Sequence, residues 1–239
     1  MSPNPSKQLT LILLIVLILL GCTAQQEVVV QQQIEEQQIV SDPDPYRYAN
    51  AIEKFRQADS AQASPEGALL FVGSSSVRGW KTLAEDLSEY DVINRGFGGS
   101  HFSDLIVNID DLVFAHQPGA IFVYEGDNDI AWGKSPQRVY QDYLKFIQLV
   151  REKWMEVPVY FISIKPSIDR IGVIKEMAEA NALILAHIET DASLHYVDVF
   201  SVMVDESGQP IEEIFGQDGL HMNAAGYDLW EAAVKKAVE

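Results

Sequence analysis

Five short apolar runs, separated by segments of helical period, constrain this chain more than any other feature. The runs are Ala68–Val72, Asp91–Asn94, Ala120–Tyr124, Pro158–Ile164 and Leu194–Phe200. Each is too short for a helix and reads as a buried strand. The first is closed by a glycine and three serines, Gly73-Ser74-Ser75-Ser76.

The intervening segments repeat with a helical period. Ser103 to His116 carries Leu105, Ile109, Leu112 and Val113 at helical spacing. Ser135-Pro136 is a helix start, with serine as N-cap and proline in the first turn. The helix that follows places Val139, Tyr143, Phe146, Ile147, Val150 and Trp154 on one face. Further helices are expected over Tyr48–Ala61, over Ile171–Thr190 and from the N-cap Asn223 to the C-terminus. Apolar strands alternating with helices call for a parallel sheet covered on both faces. Right-handed crossovers then give a three-layer α/β/α sandwich with a five-stranded parallel sheet. By analogy with flavodoxin-like domains, the expected strand order is 2-1-3-4-5.

The first residues stand apart from this domain. Lys7 precedes an apolar run, Leu9 to Leu20, broken only by Thr10. That run falls short of the ~20 residues needed to span a bilayer. A basic start, an apolar middle and a small residue at the end describe an export signal over residues 1–21. Leu19-Leu20-Gly21-Cys22 resembles the bacterial lipobox, which implies lipidation of Cys22 and a membrane anchor. Cys22 is the only cysteine, so no intramolecular disulfide can form. Residues 22–45 are rich in Gln, Glu and Val, end in Asp-Pro-Asp-Pro, and read as a flexible tether. Residues 46–239 suffice for one domain with a full core.

The formal net charge is −18. Such acidity argues against nucleic acid or an anionic lipid surface as the binding target. It serves solubility and does not identify a substrate.

In a parallel sheet the strand ends share one rim, where open α/β sheets carry their sites. The first strand ends in Gly73-Ser74-Ser75-Ser76, the second in Asn94-Arg95-Gly96-Phe97-Gly98-Gly99, the third in Glu125-Gly126-Asp127-Asn128-Asp129. Asp218 and His221 follow the fifth strand, just ahead of the last helix, and can reach the same rim. A serine with an Asp/His pair supplies the parts of a hydrolytic triad. Taken singly, each block is also an ordinary turn or cap; their order and placement carry the argument. His116, His187 and His195 show no metal-ligand spacing, and His101 reads as a loop histidine. Trp132 reads equally as pocket wall or packing. Arg78 and Trp80 read as structural, and Asp127 and Asp129 as cap and loop residues.

Together these blocks resemble the SGNH, or GDSL-type, hydrolase superfamily over essentially the whole domain after the tether. The resemblance maps the nucleophile to Ser75, with Ser74 standing where the family usually has aspartate. Its second block maps to Gly99. Its Gly-x-Asn-Asp block is matched by Gly126-Asp127-Asn128-Asp129, and its Asp-x-x-His block by Asp218 and His221. Lys165-Pro166-Ser167 also looks typical of bacterial members. The resemblance implies that His221 is the base, that Asp218 orients it, and that Ser75, Gly99 and Asn128 form an oxyanion hole. With three adjacent serines, Ser74 and Ser76 stay open beside Ser75. It implies a carboxylic ester substrate with a small acyl group, on carbohydrate or a lysophospholipid-like molecule, and no metal or cofactor. The rival readings are a non-enzymatic lipoprotein that binds an anion or sugar at the serine turn, and an acyltransferase using the same triad.

Overall fold

A computed structural model describes residues 40–238. The expected signal over residues 1–21, Cys22 and the tether as far as residue 39 lie outside the described residues. The five strands are β1 (Leu69–Gly73), β2 (Val92–Gly96), β3 (Ala120–Tyr124), β4 (Val159–Ile162) and β5 (Leu194–Val197). They form one parallel sheet in the order β2-β1-β3-β4-β5. The expected order therefore holds. Predicted strand ends differ by a residue or a few, because apolarity continues past the last ladder partner at β4 and β5.

Alternate residues of each strand face opposite layers. Leu70, Val72, Ile121, Val123, Val159 and Phe161 face one side. There they meet α1 (Ala49–Ala61), α4 (Phe102–Val107), α6 (Pro136–Lys153) and α7 (Ile174–Ile188). Leu69, Phe71, Phe122, Tyr124 and Ile162 face the other side. That layer holds the short helices α2 (Ser75–Gly79) and α3 (Leu83–Asp86), and the C-terminal helix α8 (Ala224–Val238). Strand register puts Phe71, Phe122, Tyr160 and His195 in one row, and their rings stack at 4.5 Å from strand to strand. A short helix, α5 (Asp127–Trp132), follows β3 directly.

The start of α6 is built as the sequence dictates. The Ser135 hydroxyl accepts from the Arg138 N–H at 3.2 Å, and Val139, Tyr143, Phe146, Ile147 and Val150 are buried. The helix expected over Ser103–His116 is broken. It ends at Val107, and the chain continues as a π-helical turn over Asp110–Phe114. Asn108 Nδ2 donates to the Asp104 carbonyl at 2.8 Å, so a side chain competes with the backbone at the break. The compact unit begins at Asp42, a few residues before Tyr46. Lys134 (2.7 Å) and Arg138 (2.6 Å) hold the Asp42 carboxylate there.

Candidate active site

The site is built where β1 stops. Gly73 has φ +141°, and a Cβ at that position would lie 2.1 Å from the Tyr124 carbonyl oxygen. Only glycine fits between the two strand ends. The chain then turns at once into α2, whose first residue is Ser75. Ser75 Oγ lies 2.9 Å from His221 Nε2. Ser74 is fully buried, and its hydroxyl has no partner among the described residues. Ser76 is buried as well, and its carbonyl accepts from the Tyr227 hydroxyl at 3.0 Å. Of the three adjacent serines, Ser75 alone meets the imidazole.

His221 and Asp218 sit on a turn closed by the antiparallel pairing of Phe215 with Met222. The Gly216 N–H donates to the His221 carbonyl at 2.8 Å. Asp218 Oδ2 lies 2.6 Å from His221 Nδ1. Its Oδ1 accepts backbone N–H bonds from His221 (2.9 Å) and Leu220 (3.0 Å). The imidazole, followed by these two N–H groups, holds the Asp218 carboxyl well below the usual carboxylate range. The side chains remain 42% (His221) and 53% (Asp218) exposed, so the imidazole is open to solvent from one side.

The opposite wall comes from β2 and β3. The Phe97 N–H donates to the Gly73 carbonyl at 2.9 Å, which ties the loop after β2 to the serine turn. Gly99 adopts φ +72°, a left-handed conformation suited to glycine. Asn128, in the first turn of α5, donates from Nδ2 to the Ser100 carbonyl at 2.9 Å. The loop carrying Gly99 is thus bound to both the serine turn and Asn128. Ser75 opens its helix, where N–H groups lack intrahelical acceptors. Neither Ser75 nor Gly99 donates its N–H to an acceptor among the described residues.

Several residues at the site went unmarked in the sequence. Arg170 Nη2 donates to Asn128 Oδ1 at 2.8 Å, and its Nη1 lies 3.0 Å from Asp127 Oδ2. Lys134 is buried against Asp129 at 2.8 Å and Asp142 at 3.0 Å. Asp127 and Asp129 are therefore halves of ion pairs, a role beyond the cap and loop positions expected for them. Glu125 is fully buried at the end of β3, with Oε1 2.6 Å from Ser100 Oγ. Burial, with the Asp129 charge added, pushes its carboxyl well above the usual range. His101 lies in the loop just ahead of α4, as expected, and is its buried N-cap. Burial, with Lys134 and Arg47 nearby, lowers its pKa to about 3. Trp132 leaves 55% of its surface exposed and meets His101 edge-on at 5.9 Å. Trp80 is buried and donates to Asp86 at 2.6 Å. The Arg78 guanidinium lies against Gly98. None of these charged residues follows a repeat, and their partners come mostly from other elements, so no periodicity marks them. Among the described residues, no group of three His, Cys, Asp or Glu side chains is placed to hold a metal.

Solved structures share this architecture. A protein from Streptococcus pneumonia, provisionally named a platelet activating factor, is 22% identical with a TM-score of 0.73, covering 89% of this chain and 99% of its own. A GDSL-like lipase from Bacteroides thetaiotaomicron is 20% identical with a TM-score of 0.69, covering 78% and 96%. A carbohydrate esterase family 3 protein from Talaromyces cellulolyticus is 15% identical with a TM-score of 0.58, covering 72% and 96%. Identities this low bear on the fold alone. No curated protein matches the chain significantly. The model of the GDSL-like lipase/acylhydrolase family, however, matches residues 61–229, a span that contains Ser75, Gly99, Asn128, Asp218 and His221. This chain belongs to the GDSL-like lipase/acylhydrolase family and is a carboxylic ester hydrolase.

Proposed function

We propose that the protein is a serine esterase working through an acyl-enzyme on Ser75. The observation that carries this reading is the unbroken contact from Ser75 Oγ to His221 Nε2 (2.9 Å) and from His221 Nδ1 to Asp218 Oδ2 (2.6 Å). With Nδ1–H donated to Asp218, the Nε2 lone pair is left to accept the serine proton. Ser75 Oγ bonds to the ester carbonyl carbon as its proton passes to Nε2. The tetrahedral oxyanion accepts N–H groups from Ser75, Gly99 and the Asn128 amide. Collapse breaks the bond to the alcohol oxygen, which takes the proton from the imidazolium. Water then repeats the sequence on the acyl-serine, releasing the acid and restoring the hydroxyl. Asp218 stays ionised throughout and stabilises the imidazolium.

The substrate is an ester with a small acyl group, its alcohol a carbohydrate or a lysophospholipid-like molecule. The acylhydrolase family supports an ester substrate in general, and the finer choice is our reading, supported by structural neighbours whose names include a carbohydrate esterase and a lipase. Water is the acyl acceptor. The non-enzymatic binding alternative would leave the Asp218/His221 pair without a task. The residues Leu19-Leu20-Gly21-Cys22 support an exported protein held to a bacterial membrane through a lipid on Cys22, with the domain on the periplasmic or cell-surface side.

The test is Ser75→Ala assayed with p-nitrophenyl acetate, then a panel of acetylated sugars and lysophospholipids. Abolished turnover in a folded variant is expected. Retained turnover would overturn the assignment, and release of acylated sugar in place of acid would redirect it to acyl transfer. Cys22→Ser should move the full chain from the membrane to the soluble fraction. Persistence in the membrane would remove the lipid anchor.

A further inference from the structure

The amide of Asn128 can help an oxyanion only if its nitrogen, not its oxygen, faces the substrate. The two atoms are nearly equal in size, so packing does not choose between them. Hydrogen bonds do. Asn128 Nδ2 donates to the Ser100 carbonyl at 2.9 Å. Asn128 Oδ1 accepts from Arg170 Nη2 at 2.8 Å. Rotating the amide by half a turn would set an N–H against the guanidinium and an oxygen against the carbonyl. Both contacts would turn repulsive.

Arg170 is itself held in place. Its side chain is only 14% exposed, and Nη1 lies 3.0 Å from Asp127 Oδ2. Asp127 is the residue before Asn128 on α5, so one guanidinium fork spans two consecutive residues of the helix. Arg170 arrives on the segment after β4, which also touches the other half of the site. The Asp169 N–H donates to the Gly219 carbonyl at 3.1 Å, within the turn that carries Asp218 and His221.

We infer that Arg170 is the positioning residue of the oxyanion hole: it fixes the Asn128 amide so that its second N–H faces the ester oxygen. An amide has two N–H donors, and Ser100 occupies one. The other is the donor that remains for the substrate. A cationic partner on the amide oxygen also polarises the group and strengthens that donor. Arg170 touches no reacting atom in this scheme. The inference rests on the Ser75/His221 reading of the site.

The test is a double-mutant cycle on p-nitrophenyl acetate with wild type, Arg170→Gln, Asn128→Ala and the double variant, and Ser75→Ala as a control. Loss of one oxyanion donor costs about 10²–10³ in kcat. Asn128→Ala should show a loss of that order. Arg170→Gln should lower kcat by about tenfold or more and leave KM within about twofold. The double variant should match Asn128→Ala, because an arginine acting through the amide has nothing left to orient. Losses that multiply, or a kcat for Arg170→Gln near wild type, would overturn the inference. Should Arg170→Gln not fold, Arg170→Lys replaces it: the charge stays, the fork is lost, and the same non-additivity with Asn128→Ala is expected. An active Ser75→Ala would instead overturn the reading beneath it, so the two failures are distinct.

Discussion

Lys165 Nζ donates to the Leu220 carbonyl at 2.7 Å, and that carbonyl lies in the chain between Asp218 and His221, the pair that contacts Ser75. Lys165 stands just after β4 and is only 1% exposed. It fastens the Asp/His turn to the sheet. Lys165→Met keeps the volume and removes the donor, so the turn should shift. Displacement of about 1 Å at a catalytic group can cost about 10²-fold. We expect kcat for p-nitrophenyl acetate to fall by about ten- to a hundredfold, with a folded circular dichroism spectrum. Full activity in this variant would show the turn to be rigid without the lysine.

The same residue makes a prediction about pH and stability. Burial lowers the Lys165 pKa from 10.5 to about 8, against the pull of Asp127. The unfolded chain therefore binds the extra proton between pH 8 and the ordinary lysine range. Stability from this group rises with pH across that window and is flat below it. In urea denaturation, wild type should gain stability from pH 8 to pH 10 relative to Lys165→Met. Parallel curves for the two proteins would refute this.

Asp218 accepts two backbone N–H bonds on one oxygen and faces the imidazole with the other. Its carboxyl is held below the usual range, chiefly by the imidazole. It stays ionised as pH falls through the ordinary aspartate range. Asp218→Asn can preserve the backbone bonds yet reverses the demand on Nδ1, favouring the wrong tautomer. We expect kcat to fall by about 10⁴-fold. The melting temperature at neutral pH should change little, because this side chain is half exposed. A loss under tenfold would mean that Asp218 does not set the tautomer.

The sheet was legible because its strands are short, apolar and closed by turn residues, and parallel connectivity leaves few orders. The meeting of Ser75 with His221 and Asp218 was legible because the serine stands at the end of β1 and the Asp/His pair just ahead of the last helix. What escaped were features without period. The helices α2, α3 and α5 are too short to repeat an apolar position. The break at Asn108 is invisible because Leu105, Ile109, Leu112 and Val113 are all buried on either side of it. Arg170 and Asn128 are far apart in sequence, and nothing local announces that one orients the other. Three serines in a row could not be told apart until the imidazole was placed beside Ser75.

Lys134 is buried with three carboxylates around its ammonium: Asp42 at 2.7 Å, Asp129 at 2.8 Å and Asp142 at 3.0 Å. Burial opposes its charge, yet Asp129 and the other acids outweigh burial and hold its pKa above the usual lysine range. Lys134→Met would leave Asp129 buried and unpaired in the helix next to Asn128. Breaking a buried pair from one side typically costs about 3–5 kcal/mol. Chemical denaturation at pH 7 should show a loss of that order, with part recovered by Lys134→Met/Asp129→Asn. A single variant as stable as wild type would count against the cluster as a structural tie.

Glu125 offers the opposite case, a buried acid whose partner is a hydroxyl. Its Oε1 lies 2.6 Å from Ser100 Oγ, and its Oε2 has no partner among the described residues. Burial, reinforced by Asp129, raises its pKa well above the ordinary carboxylate value. For a raised pKa the folded state holds the proton longer than the unfolded chain. The stability it contributes is fully present below the unfolded pKa and declines as pH rises toward the folded one. Glu125→Gln keeps the shape and the hydrogen bond to Ser100 without a titrating group. It should therefore be at least as stable as wild type at pH 7, and its stability should fall less between pH 4 and pH 8. Turnover should stay within a few-fold, since Ser100 keeps its place beside Gly99. If Glu125→Gln is instead less stable than wild type across this range, Glu125 is ionised in the fold, and Ser100 Oγ donates to a carboxylate.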